Sequence, residues 1–412
     1  MRLLRWIAGS GLRVTMSLAL LLSLYHLVAE LRALRGAPLG FLQRMELTAL
    51  DAKLGLRGGR PPERWQVAVA ALDEKAIRRF GPPPWSRVVH ARLVDRLTAL
   101  GASAIAFDVT FEQPSPGVAL VEDLRRRAAA EGLTAAPPRL VSLAAGAEDA
   151  AALLGGLPRP PEARTTAARL GEQAAELRRL AGALDGFGAA LESSAGEADP
   201  DAVFAESIRR SGKVVLGVVS FSRREAELLG LGDAERRAAL RAVRSSTISE
   251  LIADGPDGLA RVLPGAEAFE RGAYRKYFGV LVPTASVARA AQHFGTINAA
   301  PDPDGVNRRI PLISTVAGAG ALLPSLALEA VRVARGGEAI EVLGTEEDPS
   351  PHAVRLGATV TPTELGGTVS LDWYGRFDPA EMPIVSIADL LEGGPTDAVR
   401  DRVVFVAATA IG

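Results

Sequence analysis

Two aspartates close two consecutive apolar runs: Asp73 follows QVAVAAL (Gln66–Leu72), and Asp108 sits near the end of AIAFDV (Ala104–Val109). Glu74 and Glu112 lie close behind them. In an open α/β sheet, ligands gather at the carboxyl edge of the strands, where loops and helix N-termini converge. A carboxylate cluster there could bind a cation or an amine-bearing ligand, and around a metal it could serve a hydrolytic enzyme. Each acid also has a local use. Asp73 is well placed to N-cap a helix over Glu74–Arg79, and Asp108 to satisfy turn amides.

Trp85 and Arg87 follow the turn Gly81-Pro82-Pro83-Pro84. They form either a ligand-facing aromatic and cation, or a tryptophan that closes the core with an arginine neutralising nearby acids. Asp302-Pro303-Asp304-Gly305 invites a calcium reading. Setting Gly305 at the sixth position of an EF-hand loop puts Ala300 first and Pro311 twelfth, and neither supplies a carboxylate. A tight turn, with Arg308 and Arg309 opening the next strand, is expected instead. Dinucleotide fingerprint, Walker loop and nucleophile elbow are all missing from the sequence. The four histidines, His26, His90, His293 and His352, show no i,i+4 pairing. With no cysteine either, no metal or cofactor is expected. The chain reads as non-enzymatic.

The elements that position these residues follow from patterning. A hydrophobic share of 48% over 412 residues supplies a large core, and the net charge of −1 argues against a nucleic-acid partner. Apolar runs at Gln66–Leu72, Ala104–Val109, Val214–Val219, Phe294–Asn298, Ile310–Thr315, Val369–Trp373 and Val403–Ala407 predict strands. Helices are predicted between them, notably Arg87 to Leu100, Asp201–Arg210, Ser325–Arg335 and Ile387–Leu391. The expected fold is an α/β sandwich around one mostly parallel or mixed sheet, with Gln66–Leu72 beside Ala104–Val109. Two helical insertions interrupt it, at about 114–198 and 223–272. In the first, Leu170, Leu177, Leu184 and Leu191 recur every seven residues, with Leu180 and Phe187 between them. That spacing fits a helical hairpin within the domain, or a dimerisation helix that would make a homodimer.

Ahead of the domain, Arg2, Arg5 and Arg13 precede the charge-free stretch Val14 to Val28. Extended back to Trp6, it predicts one transmembrane helix with its N-terminus in the cytoplasm and the rest exported. A cleavable signal peptide is the rival, without a clean small-x-small site to support it. The division is therefore 1–28 cytoplasmic N-terminus and anchor, 29–60 connecting helices, and 61–412 exported domain. In the connector, Leu42, Met45, Leu47, Leu50 and Leu54 form a face able to dock on the domain.

With these landmarks the sequence resembles the second type of CHASE domain, a sensory module associated with cyclases and histidine kinases. The resemblance rests on ordered blocks: VAVAALDEKAIRRFGPPPWSRVVHARLVDRL, GASAIAFDVTF, DAVFAESIRRSGKVVLG, FGTINAAPDPDGVNRRIPLI, PSLALEAVR and DRVVFVAATAIG. It covers about Arg44 to Gly412. It implies a bacterial inner-membrane sensor whose bulk is periplasmic, receiving a small-molecule or envelope ligand. It also implies that the parent protein continues beyond Gly412 to a cyclase or kinase output. The ligand-contact candidates are Asp73, Asp108 and Glu112, from their place at the strand ends, with Trp85 and Arg87, whose Pro-Trp-x-Arg block is similar to one in the family. A periplasmic metal-dependent enzyme and a membrane-anchored envelope scaffold are the alternatives.

Overall fold

The computed structural model describes residues 11–33, 41–58, 65–115, 118–156, 161–196, 199–299, 301–302, 304–364, 366–373, 382–394 and 397–409. Seven strands build the largest sheet: β1 (Val67–Leu72), β2 (Ala104–Phe107), β3 (Val214–Phe221), β4 (Gly279–Leu281), β5 (His293–Thr296), β6 (Ile384–Ser386) and β7 (Val403–Ala408). Their order is β6-β1-β7-β2-β3, with β5 and β4 also on β3. Every pairing is parallel except that of β3 with β4.

This order corrects one expectation. β1 and β2 are not neighbours, because β7, from the far end of the chain, lies between them and pairs with both. A parallel ladder needs a crossover connection, so neighbours in sequence need not be neighbours in the sheet.

Helices cover both faces of this sheet, which is why its strands are apolar on every residue and not on alternate ones. Those used below are α1 (Gly11–Ala33), α2 (Phe41–Arg57), α3 (Arg87–Ala99), α4 (Ala136–Gly155), α5 (Pro161–Gly196), α6 (Pro200–Ser211), α7 (Asp233–Ala242) and α8 (Leu326–Ala334). Ile105 and Phe107 of β2 join one core with Leu93 and Leu97 of α3 and Phe204 and Ile208 of α6. Ala104 and Ala106, on the other face by strand alternation, pack with Leu326 and Ala330 of α8. Glycine is required where layers meet most closely. A Cβ on Gly217 of β3 would lie 2.6 Å from the Phe107 carbonyl oxygen and 2.8 Å from Ile297 Cγ2.

The sheet is one of several, which corrects the single-sheet reading. A five-stranded sheet runs, edge to edge, as Thr359–Pro362, Ala353–Leu356, Ile340–Thr345, Glu250–Asp254 and Ala260–Pro264. Two of its strands fall in the insertion read as helical. The segment from Arg223 to Gly272 is helical at its ends and carries a β-hairpin in the middle, turned at Gly255–Gly258. The run read as one strand at Ile310–Thr315 is two. Arg309–Pro311 pairs with Thr368–Ser370, and Ile313–Val316 with Leu322–Pro324. Leu312 between them donates its amide to Gly367.

The first insertion is a helical hairpin. Ala144 of α4 and Ala174 and Ala181 of α5 are buried, with Leu170, Leu177 and Leu184 half-buried beside them. The heptad face thus lies along α4, tied by Arg178 Nη2 to Glu148 at 2.6 Å. Leu180 and Phe187 remain exposed, and the side chain of Leu191 lies outside the described residues.

α1 contains most of the expected anchor. Its described apolar side chains, among them Val14, Met16, Leu18, Leu20, Leu21, Leu22, Leu24 and Val28, are exposed. Trp6 lies outside the described residues. Among the described residues no helix is long and apolar enough to cross a membrane.

Candidate functional site

The five candidate residues do not form one site. Asp73 ends β1 and caps the helix Glu74–Phe80, accepting the Ala76 amide at 2.8 Å. It also accepts the Ser386 hydroxyl at 2.8 Å, which ties β1 to β6. Asp108 follows β2, and its own amide donates to Val406 of β7 at 2.9 Å. Although its side chain reaches solvent, desolvation beside the strand ends raises its carboxyl above the ordinary value. With β7 between their strands, Asp73 and Asp108 do not share a sheet position. Among the described residues no three His, Asp or Glu side chains group so as to hold a metal.

Trp85, Arg87 and Glu112 gather instead on the β2–α3 side. Trp85 is buried and donates its indole N–H to Gly81 O at 2.6 Å. Arg87 is 4% exposed; it donates to Gln113 O at 2.7 Å and lies 4.6 Å over the Phe111 ring. Its Nε stands 3.5 Å from Asp201, whose other oxygen accepts the Thr284 hydroxyl at 2.8 Å. Burial lowers the Arg87 pKa, while Asp201 and the exposed Glu112 act in the opposite direction. One turn on, His90 is enclosed by Trp85, Phe107, Phe111 and Phe204, and its Nδ1 has no hydrogen-bond partner. Burial, reinforced by the Arg87 charge, pushes its pKa down to about 3, so the ring is neutral.

The densest charge constellation lies elsewhere, at the segment whose sequence predicts only a tight turn. Arg308, 3% exposed, meets three carboxylates. Its Nε and Nη2 grip Asp51 of α2 through both oxygens, at 2.6 and 2.7 Å. Its Nη1 bonds Asp302 at 3.1 Å and Asp304 at 2.9 Å. The Asp302–Gly305 turn, closed by Gly305 N–H to Asp302 O at 2.8 Å, presents both acids to it. Arg309 continues the network to Asp302 at 2.8 Å and Glu364 at 2.6 Å. Hydrogen bonds from Arg308 hold Asp51 and Asp304 below the ordinary carboxylate range, and the same bonds raise the arginine.

A second tie lies six residues along α2. Arg57 pairs with Asp372 and donates to Trp373 O at 3.1 Å. Both ties land on the ribbon formed by Arg309–Pro311 and Thr368–Ser370 or on the residues flanking it. Leu47, Leu50 and Leu54 are half-buried, so part of the expected leucine face is covered, whereas Met45 is exposed. The side chain of Leu42 lies outside the described residues. α2 is therefore docked by charge as well as by leucines. A bidentate arginine–carboxylate pair fixes orientation in a way that an apolar face does not.

Two cavities flank the segment 244–249. One, of about 410 Å³, has Glu329 and Arg332 of α8 in its wall. Glu329 is wholly buried and binds Arg332 through both oxygens, at 2.6 and 2.8 Å. His293 Nδ1 lies 3.2 Å from it. Burial pushes Glu329 up, but Arg332 and His293 outweigh that and leave it below its usual value. The i,i+3 spacing of Glu329 and Arg332 was the available sequence signal.

Comparison with protein families gives one result: the description "CHASE2 domain" matches residues 21–412, from within α1 to the end of the chain. The chain belongs to the CHASE2 family. Comparison with curated proteins and with solved structures returned no match. CHASE2 domains are extracytoplasmic sensor modules of signalling proteins. The matched region of this CHASE2 chain includes α2 and the whole Asp51–Arg308 contact.

Proposed function

We propose that this CHASE2 chain is the ligand-sensing input of a transmembrane signalling protein, anchored by α1 and relayed through α2. The observation that carries the reading is the grip of Arg308 on Asp51. It ties the helix that follows the apolar segment to a ribbon of the exported domain, so a change in the domain has a physical route toward the membrane. Such a contact transmits a signal when ligand binds the docked and undocked arrangements with different affinity. The apolar side chains exposed along α1 are matched by a bilayer and not by water. Arg2, Arg5 and Arg13 favour retention of the N-terminus in the cytoplasm, where a cyclase or kinase output would act.

Two measurements test the proposal. A reporter active only outside the cytoplasm, fused after Gly59, is expected to be active in membranes. Activity of a cytoplasm-only reporter at that position overturns the exported-sensor reading. Hydrogen exchange in residues 41–57 is expected to rise when Arg308→Gln releases α2. Unchanged exchange refutes the relay.

A further inference from the structure

The second cavity beside the segment 244–249 has a different chemistry. It is an open cleft of about 370 Å³ between α7, that segment and the loop 318–321. Three arginines line it, Arg237, Arg241 and Arg244, and none of its lining residues is acidic. Most of the arginines described above have a carboxylate or carbonyl partner. These three side chains have no ion pair and no hydrogen bond among the described residues. Arg236 on the same helix shows the contrast, pairing with Asp233 and donating to Ala317 O at 2.6 Å. The acids of α7 lie in its first turn, where Asp233 is engaged by Arg236 and Glu235 accepts the Gly232 amide. The negative end of the helix dipole favours one cation at the last turn. It does not account for three guanidinium groups around one cavity, which repel one another without a counter-charge.

The remaining walls suit a small guest. Ser249 and Thr247 lie in the wall, and the Thr247 hydroxyl is engaged with Arg244 O at 2.9 Å. The loop 318–321 is Gly-Ala-Gly-Ala, so nothing larger than a methyl stands on that side. We infer that this cavity binds a compact, multiply charged oxyanion, such as a phosphate- or polycarboxylate-bearing small molecule. Guanidinium forks bond both kinds of oxyanion bidentately. The binding stands on the cavity alone; its role as the signal rests on the sensory function proposed above.

Calorimetric titration of the purified chain with pyrophosphate and, separately, with citrate tests the inference. At least one probe is expected to bind one-to-one, more weakly as salt rises from about 50 to about 500 mM. Binding should fall about tenfold or more in Arg237→Gln, Arg241→Gln and Arg244→Gln, since each removes a charge-assisted contact. Arg261→Gln, outside the lining and paired with Asp257, should bind as the unaltered chain does. Preference for one probe identifies the oxyanion class. Because the three side chains are exposed, their variants should retain the thermal midpoint of the unaltered chain. Failure of both probes to bind overturns the site, as does binding that the three variants leave unchanged. Binding without any change of hydrogen exchange in α2 keeps the site and overturns its role as the sensor's input.

Discussion

His90 should make this domain acid-sensitive in a pH range where its carboxylates are still ionised. The ring is buried among four aromatic side chains, its Nδ1 is unpartnered, and its pKa falls from 6.5 to about 3 on folding. Below pH 6.5 the unfolded chain therefore binds a proton that the folded chain excludes, and stability declines as pH falls toward the folded value. At 1.36 kcal/mol per pKa unit, the loss is about 2 kcal/mol at pH 5 and approaches roughly 5 kcal/mol near pH 3. His90→Leu keeps the volume nearly constant and removes the orphaned nitrogen, so at neutral pH it should change stability by less than about 1.5 kcal/mol. Urea denaturation of both proteins, at about pH 7.5 and about pH 5, measures the difference. The variant should lose about 2 kcal/mol less than the unaltered chain over that interval. If both lose stability in parallel, His90 is not excluded from protonation in the folded state, and the burial argument fails.

Four other expectations follow from the same geometry. Because Asp51 and Asp304 have folded pKa values below 3.8, their contribution to docking is complete above that pH and is lost as pH falls through the depressed values. Hydrogen exchange in α2 should therefore be unchanged between neutral pH and pH 5, after correction for intrinsic exchange, and rise only below 3.8. Leu50→Asp places a charge on the half-buried face of α2 and should raise exchange there while membrane insertion, followed by fractionation, is unaffected. Gly217→Ala forces a methyl against the Phe107 carbonyl and Ile297 and should destabilise the domain by about 1–3 kcal/mol in the urea assay. Asp201→Asn should likewise lower the urea midpoint, because it leaves the buried Arg87 guanidinium without its carboxylate.

Local features were legible in the sequence because their causes are local. Asp73 caps the helix over Glu74–Phe80, as its place before Glu74–Arg79 implies, and Gly212 takes a left-handed φ of 61° at the end of α6. The period-seven leucines of α5 face α4 because an antiparallel hairpin was the nearest way to cover them. The segment 223–272 reads as helical throughout, and its hairpin escapes that reading because Glu250–Asp254 is too short for its period to separate a strand from a helix. The three strands at 340–362 are illegible in the sequence for the same reason. Each is stabilised by the others more than by its own propensity.

What the sequence determined by itself was composition, the main apolar runs and family. The apolar runs that became β1, β2, β3 and β7, and the blocks of the CHASE2 pattern, are properties of contiguous residues. What only the tertiary structure decided was which distant residues meet. β7 enters between β1 and β2, and Arg308 closes on Asp51 across 257 positions. Arg237, Arg241 and Arg244 face a cavity whose opposite wall comes from residues 318–321. Short-range steric and capping preferences act through the chain, whereas ion pairing and strand order act through space. A single sequence without its fold does not state the distances on which they depend.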